Sequence, residues 1–172
     1  MKKYLFSLLS VISILSCSKN DDNPEPETQQ VDKVIFGGIY GMCGGDCRDL
    51  YMIKEKVLFK DADSELDEYG EWSSTTFSEK LDLENFNNSS DLLNVPSELL
   101  DGDLTQEDLV QSWADVDYYI YVEKDGKSEE IILDHIHKNA SPAVKTYFKK
   151  FLKSYKELGG YMIDTTNIER YY

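Results

Sequence analysis

Cys43 and Cys47 are the pair in this chain best placed to do chemistry. They lie in Phe36-Gly37-Gly38-Ile39-Tyr40-Gly41-Met42-Cys43-Gly44-Gly45-Asp46-Cys47, with five glycines in that stretch. Such a stretch must turn sharply or approach another backbone closely. Its thiols could crosslink, cycle between oxidised and reduced forms, or hold a metal. Redox cycling needs a depressed thiol pKa, yet three residues separate the thiols instead of two, no helix pattern opens there and the nearest charges do not clearly lower a thiol pKa. Asp46 is the one side chain in the loop able to act as a general base.

Two further groups could hold metal. Asp61, Asp63, Glu65 and Asp67 alternate as in a calcium loop, but Leu66 replaces the glycine of the sharp turn and Trp72 stands where the bidentate glutamate belongs. A solvated acidic loop is the simpler reading, with Asp61, Asp63 and Glu65 left as candidate ligands. His135 and His137, two apart at a strand end, share one face; with Asp134 they would still need a third zinc ligand from elsewhere. No metal site and no cofactor is therefore assigned.

Hydrolytic chemistry finds no more support. The chain has no G-x-S-x-G, no H-E-x-x-H and no phosphate loop, and nothing selects one carboxylate pair for glycosidic work. No catalytic residue is named. A binding or structural module is the preferred reading. The alternative is an envelope enzyme, hydrolase or thiol-redox, with its site near the Cys43/Cys47 loop. The net charge of −15 argues against nucleic acid, since counterion release needs clustered cations.

The N-terminus says where such a module would work. Lys2 and Lys3 precede an apolar run, Tyr4 to Leu15, too short to span a bilayer as a mature helix. Ile14-Leu15-Ser16-Cys17 resembles the lipobox of bacterial lipoproteins, in which cleavage precedes the cysteine and its thiol carries diacylglycerol. Leu15 departs from the small residue usual there. The expected division is a signal peptide over 1–16, a disordered tether over 17–30 and one domain over 31–172. Loss of Lys2 and Lys3 makes the mature chain two charges more negative, so attachment must rest on acyl chains such as palmitate. Asp21 and Asp22 resemble the acidic export signal of surface lipoproteins in one Gram-negative phylum, or are linker acids. The expected location is the outer membrane, on the cell surface or its periplasmic face. A protein or a glycan is the ligand class left open.

With Cys17 carrying lipid, an even pair remains in a compartment that permits disulfides. A structural Cys43–Cys47 crosslink is the simplest reading, contributing about 2 kcal/mol in the loop-entropy model.

The elements that would position these residues follow from patterning. Val31 to Phe36, Leu50 to Lys54, Val57 to Lys60 and Trp72 to Leu81 read as strands, although Glu55-Lys56 is a poor turn pair. Leu83 to Leu93 holds one irregular helix. Pro96 opens a short helix ended by Gly102, and Thr105 caps another through Trp113. Asp125-Gly126 joins Tyr118 to Val122 and Glu129 to Leu133 in a hairpin. Ser141 caps a final helix with Pro142 at its first position and an apolar stripe from Val144 to Tyr155; Gly159-Gly160 stops it, and 161–163 reads as an edge strand. Lys145, Lys149, Lys153 and Lys156 form its basic face, read as solvated, with docking to lipid headgroups or an acidic glycan as the sharper alternative.

Phe36-Gly37, Tyr40-Gly41, Cys43, Cys47, Tyr51, Ile53, Leu58 and Asp61, then Pro96 to Leu100 and the hairpin before the last helix, resemble a family of uncharacterised bacterial cell-envelope lipoproteins with an F-G-x-x-Y-G-x-C-x-x-x-C loop. Relatives carry a second close cysteine pair where this chain has Asp115-Val116-Asp117, so no four-thiolate site is expected here. The patterning of the elements implies a mainly antiparallel sheet with helices on one face, and the resemblance implies an α+β fold with no assigned activity.

Overall fold

The computed structural model describes residues 27–40, 48–62, 75–101, 116–133 and 140–160. Cys17, Cys43, Cys47, Asp63, Glu65, His135 and His137 lie outside them, as do the expected helix from Thr105 and the edge strand over 161–163.

Strand β2 (Lys33–Tyr40) is central. It pairs antiparallel with β3 (Arg48–Lys54) on one side and with β7 (Val116–Lys124) on the other. Adding β4 (Val57–Asp61), β5 (Phe77–Lys80) and β8 (Lys127–Leu133) gives a six-stranded sheet in the order β5-β4-β3-β2-β7-β8. A second, two-stranded ribbon pairs β1 (Thr28–Gln30) with β6 (Asn94–Pro96). Strand β1 thus lies before Val31, inside the stretch expected to be tether. Thr28-Gln29-Gln30 has no apolar pattern to announce a strand; its backbone is ordered by Asn94–Pro96, distant in sequence.

Helix α1 (Leu83–Ser89), two short 3-10 turns at Ser90–Leu93 and Ser97–Leu99, and helix α2 (Pro142–Glu157) pack on one face of the sheet. Asp82 caps α1 by accepting the Asn85 N–H, and Ser141 caps α2 by accepting that of Val144, with Pro142 at the first position. The α2 stripe Val144, Tyr147, Phe148, Phe151, Leu152 and Tyr155 is buried against Phe36, Tyr51, Tyr118 and Ile120. Phe151 stacks on Tyr155 and meets Phe36 and Tyr118 edge-on, with ring centroids 5.6–6.0 Å apart. The helix ends in a Schellman motif. Gly159 takes φ +85°, its N–H donates to the Lys156 carbonyl, and Gly160 N–H reaches that of Tyr155. Ile35, Ile39, Leu50 and Tyr119 form a second buried cluster on the opposite face.

Both expected hairpins form. Asp125-Gly126 turns β7 into β8 with φ of 52° and 76°. Glu55-Lys56 makes a two-residue turn between β3 and β4 with φ of 52° and 62°, although neither residue favours that region. Replacing this pair by Asn-Gly should therefore stabilise the domain by about 1 kcal/mol. The check is a higher denaturation midpoint with an unchanged slope. From Trp72 to Leu81, the strand proper spans only Phe77–Lys80 among the described residues. The proline-led helix is reduced to a single 3-10 turn, because Pro96 ends β6 instead of opening a helix.

Candidate functional site

The strands carry the residues of interest to one end of the sheet. β2 delivers Tyr40 there and β3 starts again at Arg48, so the Cys43/Cys47 segment joins the sheet at that end. β4 brings Asp61 beside Phe77 of β5, where the acidic stretch departs and returns. β8 finishes at Leu133, opposite Tyr118, just before His135 and His137. The fold gathers the three sequence-selected segments by their attachment points.

Alternation along the strands sends neighbouring polar residues to opposite faces. Arg48 and Asp61 share the face of Leu50, where their side chains are 5 % and 4 % exposed and Arg48 Nε donates to Asp61 Oδ2 at 2.7 Å. Asp61, a candidate calcium ligand in the sequence, has its carboxylate facing a guanidinium buried with it. Strand pairing explains why, since Arg48 is the diagonal neighbour of Asp61 across the β3–β4 ladder.

On the helix-covered face, Tyr40, Asp49 and Tyr155 form a short hydrogen-bonded chain that the sequence reading missed. Tyr40 donates its hydroxyl proton to Asp49 Oδ2 at 2.7 Å. That leaves the 2.5 Å contact between the Tyr40 and Tyr155 hydroxyls to be donated by Tyr155. The space for Tyr155 depends on two glycines. A Cβ at Gly38 would lie 2.4 Å from its hydroxyl, and one at Gly160 would lie 2.2 Å from its ring. The readable signal was the second glycine of Phe36-Gly37-Gly38, just past the strand expected over Val31 to Phe36; the strand in fact continues through it to Tyr40. Tyr51 stands beside the group and donates to the Leu158 carbonyl at 3.0 Å, satisfying an orphan acceptor at the end of α2.

Burial, the hydrogen bond with Tyr40 and the nearby Asp49 charge push the Tyr155 hydroxyl well above the usual phenol range. Tyr147 is raised by burial, its hydroxyl donating to the Leu92 carbonyl. Tyr51 is pushed up to about 12, by burial first and then by Asp49 and Glu79. These tyrosines stay protonated in the folded chain while unfolded tyrosine ionises near pH ~10. Their contribution is therefore fully present below pH ~10 and is lost as pH rises through the folded values, because the unfolded chain then binds fewer protons. Denaturation midpoints measured from pH ~8 to ~11, alongside tyrosinate absorbance, should fall above pH ~10, and Tyr155→Phe should flatten that fall.

The opposite end of the domain holds two open clefts. One, of about 610 Å³, is lined by Thr28, Asn94, Pro96, Thr146, Tyr147 and Lys150. The other, of about 240 Å³, lies between the β7–β8 turn and Leu100-Asp101. Neither contains the Tyr40 group or the Arg48–Asp61 pair. Of the basic face, Lys153 lies 3.9 Å from Glu157 on the same helix, while Lys150, outside that set of four, lies 3.4 Å from Asp91. Among the described residues, no cluster of three His, Cys, Asp or Glu could hold a metal ion, and no helix is long and apolar enough to cross a membrane.

Compared with protein-family models, with curated proteins and with solved structures, the chain matches none.

Proposed function

We propose that this chain is a cell-envelope lipoprotein, anchored through acyl chains on Cys17, whose α+β domain is a binding or structural module and not a catalyst. The observation that carries the reading is Lys2-Lys3, the apolar run and Ile14-Leu15-Ser16-Cys17, in the order that lipoprotein processing requires. The resemblance of the Phe36 to Cys47 stretch to envelope lipoproteins supports it. Support for binding over catalysis comes from the polar interior. Arg48 faces Asp61, and Tyr155 reaches Asp49 through Tyr40, so these groups satisfy one another instead of converging on either cleft.

In cells, Cys17→Ser should move the protein from the membrane fraction to the soluble fraction and remove a diacylglycerol-sized mass. A variant that stays membrane-bound, from a parent with no lipid mass, would end the proposal. The Cys43–Cys47 crosslink is tested separately: labelling of unfolded, unreduced mature protein should find no free thiol at either position. Labelling at both would sink the crosslink.

A further inference from the structure

The tether enters the domain at a defined place. Ser97 N–H and its hydroxyl both donate to the Glu27 carbonyl, Gln29 accepts from the Lys124 amine, and Asp32 N–H donates to the Glu123 carbonyl. These contacts put the entry at the end of the sheet marked by Lys33, the Glu55-Lys56 turn and the Asp125-Gly126 turn, opposite Tyr40, Arg48 and Asp61. The ten residues from Cys17 to Glu27 can reach at most about 35 Å. The length of β2 then sets the far end of the sheet about 25 Å beyond the near one.

Leu83 lies at that same near end. It follows β5, where Lys80 is opposite Phe59 and Leu81 N–H donates to the Leu58 carbonyl, and it opens α1. Among the described residues it is the one large apolar side chain left exposed, at 70 %. A lone exposed leucine is ordinary on a protein surface; this one stands where the anchored chain approaches lipid. Charge at this end is mixed: Lys33, Lys54, Lys56, Lys124 and Lys127 stand among Asp32, Glu55, Asp82, Glu84, Glu123 and Asp125, so the contact rests on the tether's entry and on Leu83 and not on attraction to anionic headgroups.

We infer that the domain stands on the lipid surface on this end, with Leu83 and the Glu55-Lys56 and Asp125-Gly126 turns against the headgroups. The end that carries Tyr40, Arg48 and Asp61 is then turned away from the membrane. The inference rests on lipid attachment at Cys17 and adds the orientation and the contact surface.

The test uses the full lipidated chain in nanodiscs of phosphatidylethanolamine and phosphatidylglycerol carrying a headgroup-nitroxide lipid, read by backbone amide signals. The expected result is signal loss at Lys54, Lys56, Leu83 and Gly126, with signals kept at Tyr40, Asp61 and Phe77. Leu83→Asp should restore signal at the α1 start while leaving amide shifts elsewhere unchanged. A diacyl mass on Cys17 with uniform loss, or with loss concentrated at Tyr40 and Asp61, overturns the orientation and leaves the anchor standing. Absence of that mass from the mature protein overturns both.

Discussion

Arg48→Met should destabilise the domain by about 3–5 kcal/mol, enough to unfold much of a marginally stable protein. The side chains of Arg48 and Asp61 are almost wholly removed from solvent, so losing the guanidinium leaves a buried carboxylate without the counter-ion that faces it. Replacing both, as Arg48→Met with Asp61→Leu, should recover most of that loss, because an apolar pair of similar volume carries no desolvation cost. Urea denaturation of the two single variants and the double variant gives the coupling directly. A double variant as unstable as Arg48→Met alone would mean that the side chains matter separately and not as a pair.

Gly37→Ala should cost about as much, at or above the upper end of ordinary overpacking at roughly 3 kcal/mol. The added Cβ would lie 1.9 Å from the Asp49 carbonyl oxygen and 3.0 Å from the Leu50 Cα. Both are backbone atoms of β3, so no side chain can swing aside and the two central strands must separate. Gly38→Ala is the useful comparison. Its Cβ meets the Tyr155 hydroxyl, the far end of a side chain, so it should cost less while breaking the Tyr40–Tyr155 hydrogen bond. Equal losses for the two variants would contradict this account.

Those glycines show how legible the chain was. A crowded backbone was readable from Phe36-Gly37-Gly38, and close approach is what occurs, though within a strand and not in a turn. The β7–β8 hairpin and α2 were legible almost to the residue, because Asp-Gly and Ser-Pro at their ends encode local geometry that tertiary contacts need not supply. Helices on one sheet face followed from the α2 stripe. What was not legible depends on partners remote in sequence. Thr28–Gln30 is a strand because Asn94–Pro96 is beside it, and Asp61 read as a loop acid until the β3–β4 ladder brought Arg48 to it. Tyr40, Asp49 and Tyr155 belong to three separate elements, and no local pattern connects them.

The central position of β2 has a consequence for the order of folding. Its first partner, β3, follows at once, but its second, β7, begins only at Val116. Hairpins such as β3–β4 can close within microseconds of reaching water, whereas the β2–β7 ladder must first close a long loop. On the export route proposed above, a chain threaded outward from its N-terminus cannot complete its sheet until Val116–Lys124 has emerged, so commitment to the native topology would come only after that strand is across.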